Sequence, residues 1–276
     1  MPLHFPIPNL IGMKYICLIC VLFQLSLHAQ NNPGSRSQAL GSAGTALEDV
    51  WSLQLNSAGI ASIERAVFAL GYEQHFLDPE LSTQSAILGL PIKDYVLGIS
   101  FQRYGITQYL EQTAGIALSR KYSDALSIAL SMNYHQVSIP FYGSGNTISV
   151  DIGMQYSLND KLRLGSAITN PGRSKINDLS GSQIPTGVSV GLAFDLSDKV
   201  LFLSDLINII DFGMNLRMGI EYRIIKSFHL RGGISANPFK QTGGFGLKFG
   251  RIAVDAAISS HPRLGYTPNL SLNYEF

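Results

Sequence analysis

From about Ala66 to Phe276 the chain alternates apolar side chains with small or polar ones, in runs of eight to twelve residues. Turns rich in Gly, Asn, Asp, Ser, Pro or Lys separate fourteen such runs. Side chains two apart share one face of a strand. Leu126, Ile128, Leu130, Met132 and Tyr134 therefore oppose Ser127, Ala129, Ser131, Asn133 and His135, while Ile148 to Tyr156, Val188 to Phe194 and Leu270 to Phe276 repeat the scheme. The run Val200 to Asn208 breaks it, because Leu201 and Leu203 fall on the polar side. Either a bulge or packing against an internal plug accounts for that break.

Alternation alone does not separate a water-soluble sandwich from a lipid-facing barrel. Connection lengths do. Every even-numbered turn is tight (Ile92 to Asp94, Lys121 to Ser123, Asn159 to Lys161, Ser197 to Lys199, Ile225 to Ser227, Gly250-Arg251). The odd-numbered ones are expected to be longer, around Leu77 to Leu81, Ser138 to Asn146, Pro171 to Ile184, Asn237 to Lys240 and Ser260 to Thr267. Short periplasmic turns, longer outside loops and an even strand number are the habit of outer-membrane barrels. Aromatic residues gather near run ends, with Tyr72, Tyr95, Tyr104, Tyr122, Tyr156, Phe194, Tyr222, Phe228 and Tyr274 forming a predicted interfacial girdle. The predicted fold is an all-β, transmembrane antiparallel β-barrel of about fourteen strands with a short N-terminal plug.

Composition sharpens this picture. Charged residues are 14% of 276, mean hydropathy is only +0.16, and there are 27 glycines. That is few charges for a water-soluble domain and too much polarity for a helical membrane protein. Lys and Arg number 20 against 19 Asp and Glu, so no electrostatic argument favours nucleic acid as a partner.

One apolar stretch, Tyr15 to Leu27 after Lys14, is too short to span a bilayer comfortably. With Leu27-His28-Ala29 before Gln30 it reads as a signal peptide, residues 1–29, whose true start is placed at Met13. Cys17 and Cys20 both lie inside it, which leaves the mature chain without cysteine, disulfide or Cys-based metal site. Export to the outer membrane follows, with residues 30–64 as plug segment and 65–276 as barrel.

The segment before the barrel does not alternate. It runs Arg36-Ser37-Gln38-Ala39-Leu40-Gly41-Ser42-Ala43-Gly44-Thr45-Ala46-Leu47-Glu48-Asp49, then Trp51, then Asn56-Ser57-Ala58-Gly59-Ile60-Ala61. Small residues allow close backbone approach to a barrel wall, and Ala46 to Leu55 has room for a short helix. This run resembles the N-terminal signature of the FadL family of long-chain fatty-acid transporters and of the related PorV/PorQ proteins of the type IX secretion system of Bacteroidota. Ala39, Gly41, Gly44, Glu48, Asp49, Asn56, Ala58, Gly59 and Ala61 match, whereas Ser57 stands where the family has Pro. Tyr156 to Leu162 and Asn170 to Arg173 are similar to strand-turn phrases of the same family. The resemblance implies a fourteen-stranded barrel with an N-terminal plug, and makes Gly41, Gly44, Asp49, Trp51, Asn56 and Gly59 the plug motif. This chain has less material outside its membrane band than those relatives, so no ligand residue transfers position by position.

The predicted inward faces carry Arg163, Arg217, Glu221, Arg223, His229, Arg231, Lys248 and Asp255. Pairing across the turn at Lys226, with Ile224 opposite Phe228, sets Glu221 against Arg231 and Arg223 against His229. Such a pair either lines a pore or satisfies groups that cannot face lipid, and the second role is the expected one. His75, His135, His229 and His261 show no metal-ligand spacing, and Gly243-Gly244-Phe245-Gly246 is no phosphate loop but a strand segment where glycine relieves crowding or admits the plug. No catalytic centre and no cofactor are expected. Two functions remain open: an accessory barrel, PorV-like, that docks a membrane or secreted protein partner, and a FadL-like transporter of small hydrophobic molecules.

Overall fold

The computed structural model describes residues 32–176 and 183–276; the expected signal peptide and the first residues of the expected plug segment lie outside them. Among the described residues, fourteen antiparallel strands close into one barrel, each paired with its sequence neighbours and the first with the last. They are β1 (Val67–Gln74), β2 (Ser82–Ile92), β3 (Tyr95–Ile106), β4 (Tyr109–Lys121), β5 (Leu126–Ile139), β6 (Gly143–Ser157) and β7 (Leu162–Thr169). The second half comprises β8 (Gly187–Ser197), β9 (Val200–Ile209), β10 (Gly213–Ile225), β11 (Phe228–Ala236), β12 (Phe239–Phe249), β13 (Ile252–His261) and β14 (Gly265–Glu275). Closure is completed by β1 and β14, which pair from Val67 with Glu275 to Glu73 with Asn269. No sheet edge is left between the two ends of the chain, as hydrocarbon requires.

Burial runs opposite to that of a water-soluble protein. Leu130 and Met132 are 57% and 51% exposed, while Ser131 between them is 5% exposed. The same inversion holds along β6, where Ile148, Val150, Ile152, Met154 and Tyr156 lie exposed and Ser149 and Gln155 are buried. An apolar skin around a polar, filled interior suits lipid on the outside. Among the described residues no helix is long and apolar enough to cross a membrane.

The interior is occupied by residues 32–64. A short helix, α1 (Gly34–Ala39), is followed by 3-10 turns at Val50–Gln54 and Ser57–Ser62. The helix expected over Ala46 to Leu55 is therefore confined to its second half, where the Asp49 carboxylate caps Ser52 N–H and Ser52 Oγ accepts from Asp49 N–H.

Three expectations are corrected, and one open choice is decided. Several outside connections are shorter than the turn signals suggested, since Ser138, Gly143 to Asn146, Phe239-Lys240 and Tyr266-Thr267 continue the strands; the β1 to β2 connection, residues 75–81, and the β7 to β8 connection, residues 170–186, are the longer ones, as expected. Ile225, not Ile224, faces Phe228, because the β10–β11 ladder slips between Arg223 and Ile225. Beyond that slip Glu221 still faces Arg231 and Arg223 still faces His229. Tyr104 belongs to the inner face, where its ring meets His75 edge-on with centroids 5.3 Å apart. The break in β9 is plug packing: Leu203 is fully buried with Leu40 and Leu47, and Leu201 packs against them. A register irregularity does exist nearby, but in β8 between Asp195 and Ser197.

Candidate functional site

The site is the plugged lumen, and glycine builds it. A Cβ on Gly219 (β10) would lie 2.5 Å from the Leu40 carbonyl, one on Gly71 (β1) 2.6 Å from the Trp51 ring, and one on Gly98 (β3) 2.7 Å from Leu53. Gly165 and Gly191, on β7 and β8, leave room for Thr45 in the same manner, and Gly244 on β12 leaves room for Ala39. These positions face inward from strands all around the wall, and together they hollow a seat for the plug. By contrast, Gly243 and Gly232 face outward, and a Cβ at either would meet nothing nearer than 3.8 Å.

Charge then fixes the plug in place. Arg36 on α1 donates from Nε and Nη2 to the two oxygens of Glu221, 3.0 Å each, and from Nη1 to Asp49 Oδ2 at 3.1 Å. Arg231 Nε reaches Glu221 Oε2 at 2.6 Å and its Nη1 reaches Asp255 Oδ1 at 2.5 Å. Two arginines and three carboxylates thus form one chain from plug to wall. Bidentate guanidinium to carboxylate geometry makes such pairs strong and directional.

A second anchor lies on β9. One oxygen of Asp205 accepts from Gly44 N–H, Thr45 N–H and Thr45 Oγ, at 2.7, 2.9 and 2.8 Å. Arg217 donates to the Ser42 carbonyl at 3.0 Å, and Arg163 holds the Ala46 carbonyl at 2.8 Å and pairs with Glu48. Asn56 Nδ2 and Gln155 Nε2 both donate to the Thr45 carbonyl. The backbone of Ser42 to Leu47 is accordingly met by side chains of both wall and plug, which a loop buried inside a barrel needs.

At the outer mouth, the β1 to β2 connection folds inward. His75 is 3% exposed, bonded through Nε2 to Thr83 Oγ1 at 2.7 Å, and its Nδ1 lies 3.9 Å from Glu73. Burial, aided by the charge of Lys240, holds His75 well below the usual imidazole range, at about 4. A small recess lies between the outer ends of β4 and β5 and the β7 to β8 connection, lined by Tyr109, Glu111, His135, Val137, Ile176 and Ile184. A second, polar recess opens among the tight turns at the other end, lined by Asp124, Asp160, Lys161, Arg163 and Asp195. Among the described residues no group of His, Cys, Asp or Glu is placed to hold a metal.

Of the predicted lumen residues, Arg163, Arg217, Glu221, Arg231 and Asp255 all grip or support the plug. Arg223 reaches only the Asp198 carbonyl at the rim, His229 lies beside it without joining the network, and Lys248 is exposed at the end of β12. In the plug motif, Gly41 sits against the Ile234 and Met218 carbonyls with φ of 72°, and Gly44 and Asp49 make the contacts above. Trp51 Nε1 donates to Asn273 Oδ1 at 2.7 Å, Asn56 holds Thr45, and Gly59 packs on Ser52. Arg36, Asp205, Asn269 and Asn273 were not singled out from sequence. Asp205 was legible in principle, being a carboxylate on the same side of β9 as Leu201 and Leu203.

No protein-family model matches the chain, and no curated protein matches it in sequence. Solved structures do match. The Pseudomonas putida toluene transporter TodX superimposes with a TM-score of 0.70 at 13% identity, covering 90% of this chain and 98% of that one. The Ralstonia pickettii toluene transporter TbuX gives 0.69 at 14%, over 88% of this chain and 98% of the other. A Pseudomonas aeruginosa FadL homologue gives 0.66 at 13%, with the same two coverages. The chain shares their fold. At such identities the likeness extends to the fold alone. It lies on the FadL side of the expected resemblance; nothing in these comparisons speaks for PorV/PorQ, type IX secretion or Bacteroidota.

Proposed function

We propose that this protein is an outer-membrane channel for small hydrophobic molecules, closed at rest by its N-terminal plug. The observation that carries the reading is the shared plan of a fourteen-stranded barrel superimposing on barrels that are themselves described as toluene transporters. The recess at the outer mouth supports it. Val137, Ile176 and Ile184 give that recess an apolar wall, while Tyr109, Glu111 and His135 supply a few polar groups, the mixture by which a small, mostly apolar ligand is oriented.

Purified protein in liposomes is expected to admit labelled toluene or a labelled fatty acid faster than empty liposomes. Equal rates, both for the full chain and for a variant loosened at Asp205, would refute transport.

One observation favours a second reading, an accessory barrel that docks a membrane or secreted protein. Phe141 and Tyr142 at the β5 to β6 tip stand 106% and 83% exposed beyond the apolar skin, and exposed aromatic side chains are favoured anchors for partners. Co-purification with a large membrane assembly, abolished by Phe141→Ser with Tyr142→Ser and accompanied by no uptake, would decide for docking. Neither reading involves catalysis or a cofactor.

A further inference from the structure

Strand β6 outgrows its neighbour. Its ladder with β5 is unbroken from Gly143 to Tyr156, whereas its ladder with β7 begins only at Asp151, opposite Thr169. Thr169 in turn faces Gly187, Gly187 faces Ile209 and Ile209 faces Gly213, so β7, β8, β9 and β10 have their outer ends on one register line. The outer wall steps down beside β6. Gly143 to Val150 stand above the step as a strand edge, about 26 Å long at the usual rise per residue.

Backbone direction at this edge follows from the ladders. Ser157 N–H donates to the Ala125 carbonyl on the β5 side, and Leu158 N–H to the Leu162 carbonyl on the β7 side. Bonding sides alternate along a strand, so the even-numbered residues of β6 face β7. Val150, Ile148, Asn146 and Ser144, all exposed, therefore aim their N–H and C=O groups past the end of β7, and none of these groups has a hydrogen-bond partner among the described residues. The described ends of the β7 to β8 connection do not extend the ladder. Asn170 N–H turns to Asp151 Oδ1 at 2.9 Å, its carbonyl accepts from Thr186 Oγ1, and Ile176 and Ile184 lie in the recess with Tyr109 and Val137.

A shorter edge elsewhere on the rim is closed. Gly213 to Leu216 of β10 run past Arg217, the outermost residue paired with β11, and Asn237 caps them, with Nδ2 on the Met214 carbonyl at 3.3 Å and N–H on Asn215 Oδ1 at 2.9 Å. Among the described residues β6 has no such cap. Nor does it carry the usual deterrents to pairing, since Gly143 to Val150 contain no charge, no proline and no bulge against β5.

We propose that the outer edge of β6 is a docking site for an extended, uncharged segment of a partner protein, which joins the wall as an added strand. A row of outward N–H and C=O groups is complementary to another extended main chain, and main-chain bonding supplies the affinity in such pairing. Side chains set the preference. Ile148 and Val150 favour apolar neighbours at the membrane end of that segment, and Asn146 and Ser144 favour polar ones beyond. The inference rests on the docking reading and is independent of transport. Co-purification that survives loss of this edge would keep docking and remove the site.

The test uses the whole barrel in nanodiscs and an end-blocked, fluorescent peptide of alternating Thr and Val, the length of an ordinary strand, with a photocrosslinking side chain at its centre. Asn146→Pro removes one outward donor and obstructs the edge while sparing the β5 ladder, to which the odd-numbered residues bond. Saturable binding is expected, with crosslinks confined to Gly143 to Val150. Asn146→Pro should weaken it roughly tenfold, the equivalent of one or two hydrogen bonds. A peptide methylated on alternate nitrogens should still bind through its unmodified edge, and one methylated on every nitrogen should not. If Asn146→Pro does not assemble, these two peptides decide the matter with the parent barrel. Binding indifferent to Asn146→Pro and to full methylation, crosslinks elsewhere on the barrel, or no saturable binding would overturn the proposal. So would a dimer of the barrel that Asn146→Pro dissolves, because a second copy would then hold the edge.

Discussion

Arg36 and Glu221 meet side by side, the guanidinium Nε and Nη2 each 3.0 Å from one oxygen of the same carboxylate. Because Arg231 shares Oε2 of that group at 2.6 Å, Glu221, itself buried, sits between two cations. Removing one partner of such a cluster strands the others without compensation, a cost of about 3–5 kcal/mol. Glu221→Ala is therefore expected to lower the temperature at which the folded barrel loses its compact mobility on gels, with a smaller effect on single-channel conductance. Unchanged heat stability with altered conductance would show that the cluster is a gate and not a brace.

Asp205 acts differently, since three donors from Gly44 and Thr45 converge on one of its oxygens. Asp205→Asn keeps the shape and lets the amide oxygen accept the same three donors, but replaces charge-assisted bonds with neutral ones. The expected loss is about 1–3 kcal/mol, confined to plug docking. Conductance should rise while the barrel still migrates as folded. An equally closed bore in this variant would place the holding force elsewhere.

Glycine supplies a matched pair of tests. On β7, a methyl at Gly165 would collide with the Thr45 carbonyl, whereas one at Gly232 on the outer wall meets nothing nearer than 4.0 Å. Gly165→Ala should loosen the plug at a cost of about 1–3 kcal/mol, the usual range for overpacking, and expose residues 40–50 to added protease. Gly232→Ala should leave protease resistance unchanged. If both variants resist equally, the seat is more pliable than the backbone geometry indicates.

What the alternation could announce was the wall, because a period of two on a closed sheet needs nothing but local side-chain choice. Leu203 marks the limit of that reading. Its inward apolar side chain leaves a bulge and plug packing equally open in the sequence, and only Leu40 and Leu47 opposite it decide for the plug. Arg36 is a similar case: nothing in Gly34 to Ala39 indicates that its partner lies on β10, 185 residues away. Glu221, Arg231 and Asp255 were found because register follows from the turns. The plug contacts were not, since no periodicity governs a loop packed inside a barrel. Tyr104 was misplaced for a related reason: its position near a strand end suggested the girdle, while the parity of Val96, Gly98, Ser100 and Gln102 already sent it inward.

His75 gives the outer mouth a dependence on acidity. Its folded value of about 4 lies below the ordinary 6.5 because burial, with Lys240 adding repulsion, disfavours the cation. The unfolded segment then binds a proton more readily than the folded one, so stability is complete above pH 6.5 and is lost as pH falls from 6.5 toward 4. Facing groups are Glu73, Thr83, Tyr104 and Lys240. His75→Gln should flatten that decline in protease resistance of the β1 to β2 connection. A decline of the same slope in the variant would assign the effect to other groups.

Trp51 is the chain's single tryptophan, 2% exposed, with Nε1 bonded to Asn273 and its ring against Gly71. It is a built-in reporter of the plug alone, because the wall contains no other indole. Seated, it should resist quenching by acrylamide and hold a constant emission maximum. Asn273→Ala removes the acceptor and leaves a buried indole N–H unpaired, at a cost of about 1–3 kcal/mol. Quenching should then increase, and Gly165→Ala should produce the same change without touching the indole. If Trp51 stays shielded in both variants while protease reaches residues 40–50, the lower plug around Trp51 and Asn56 docks independently of the Gly41 to Thr45 strap, and closure is the work of two separable pieces.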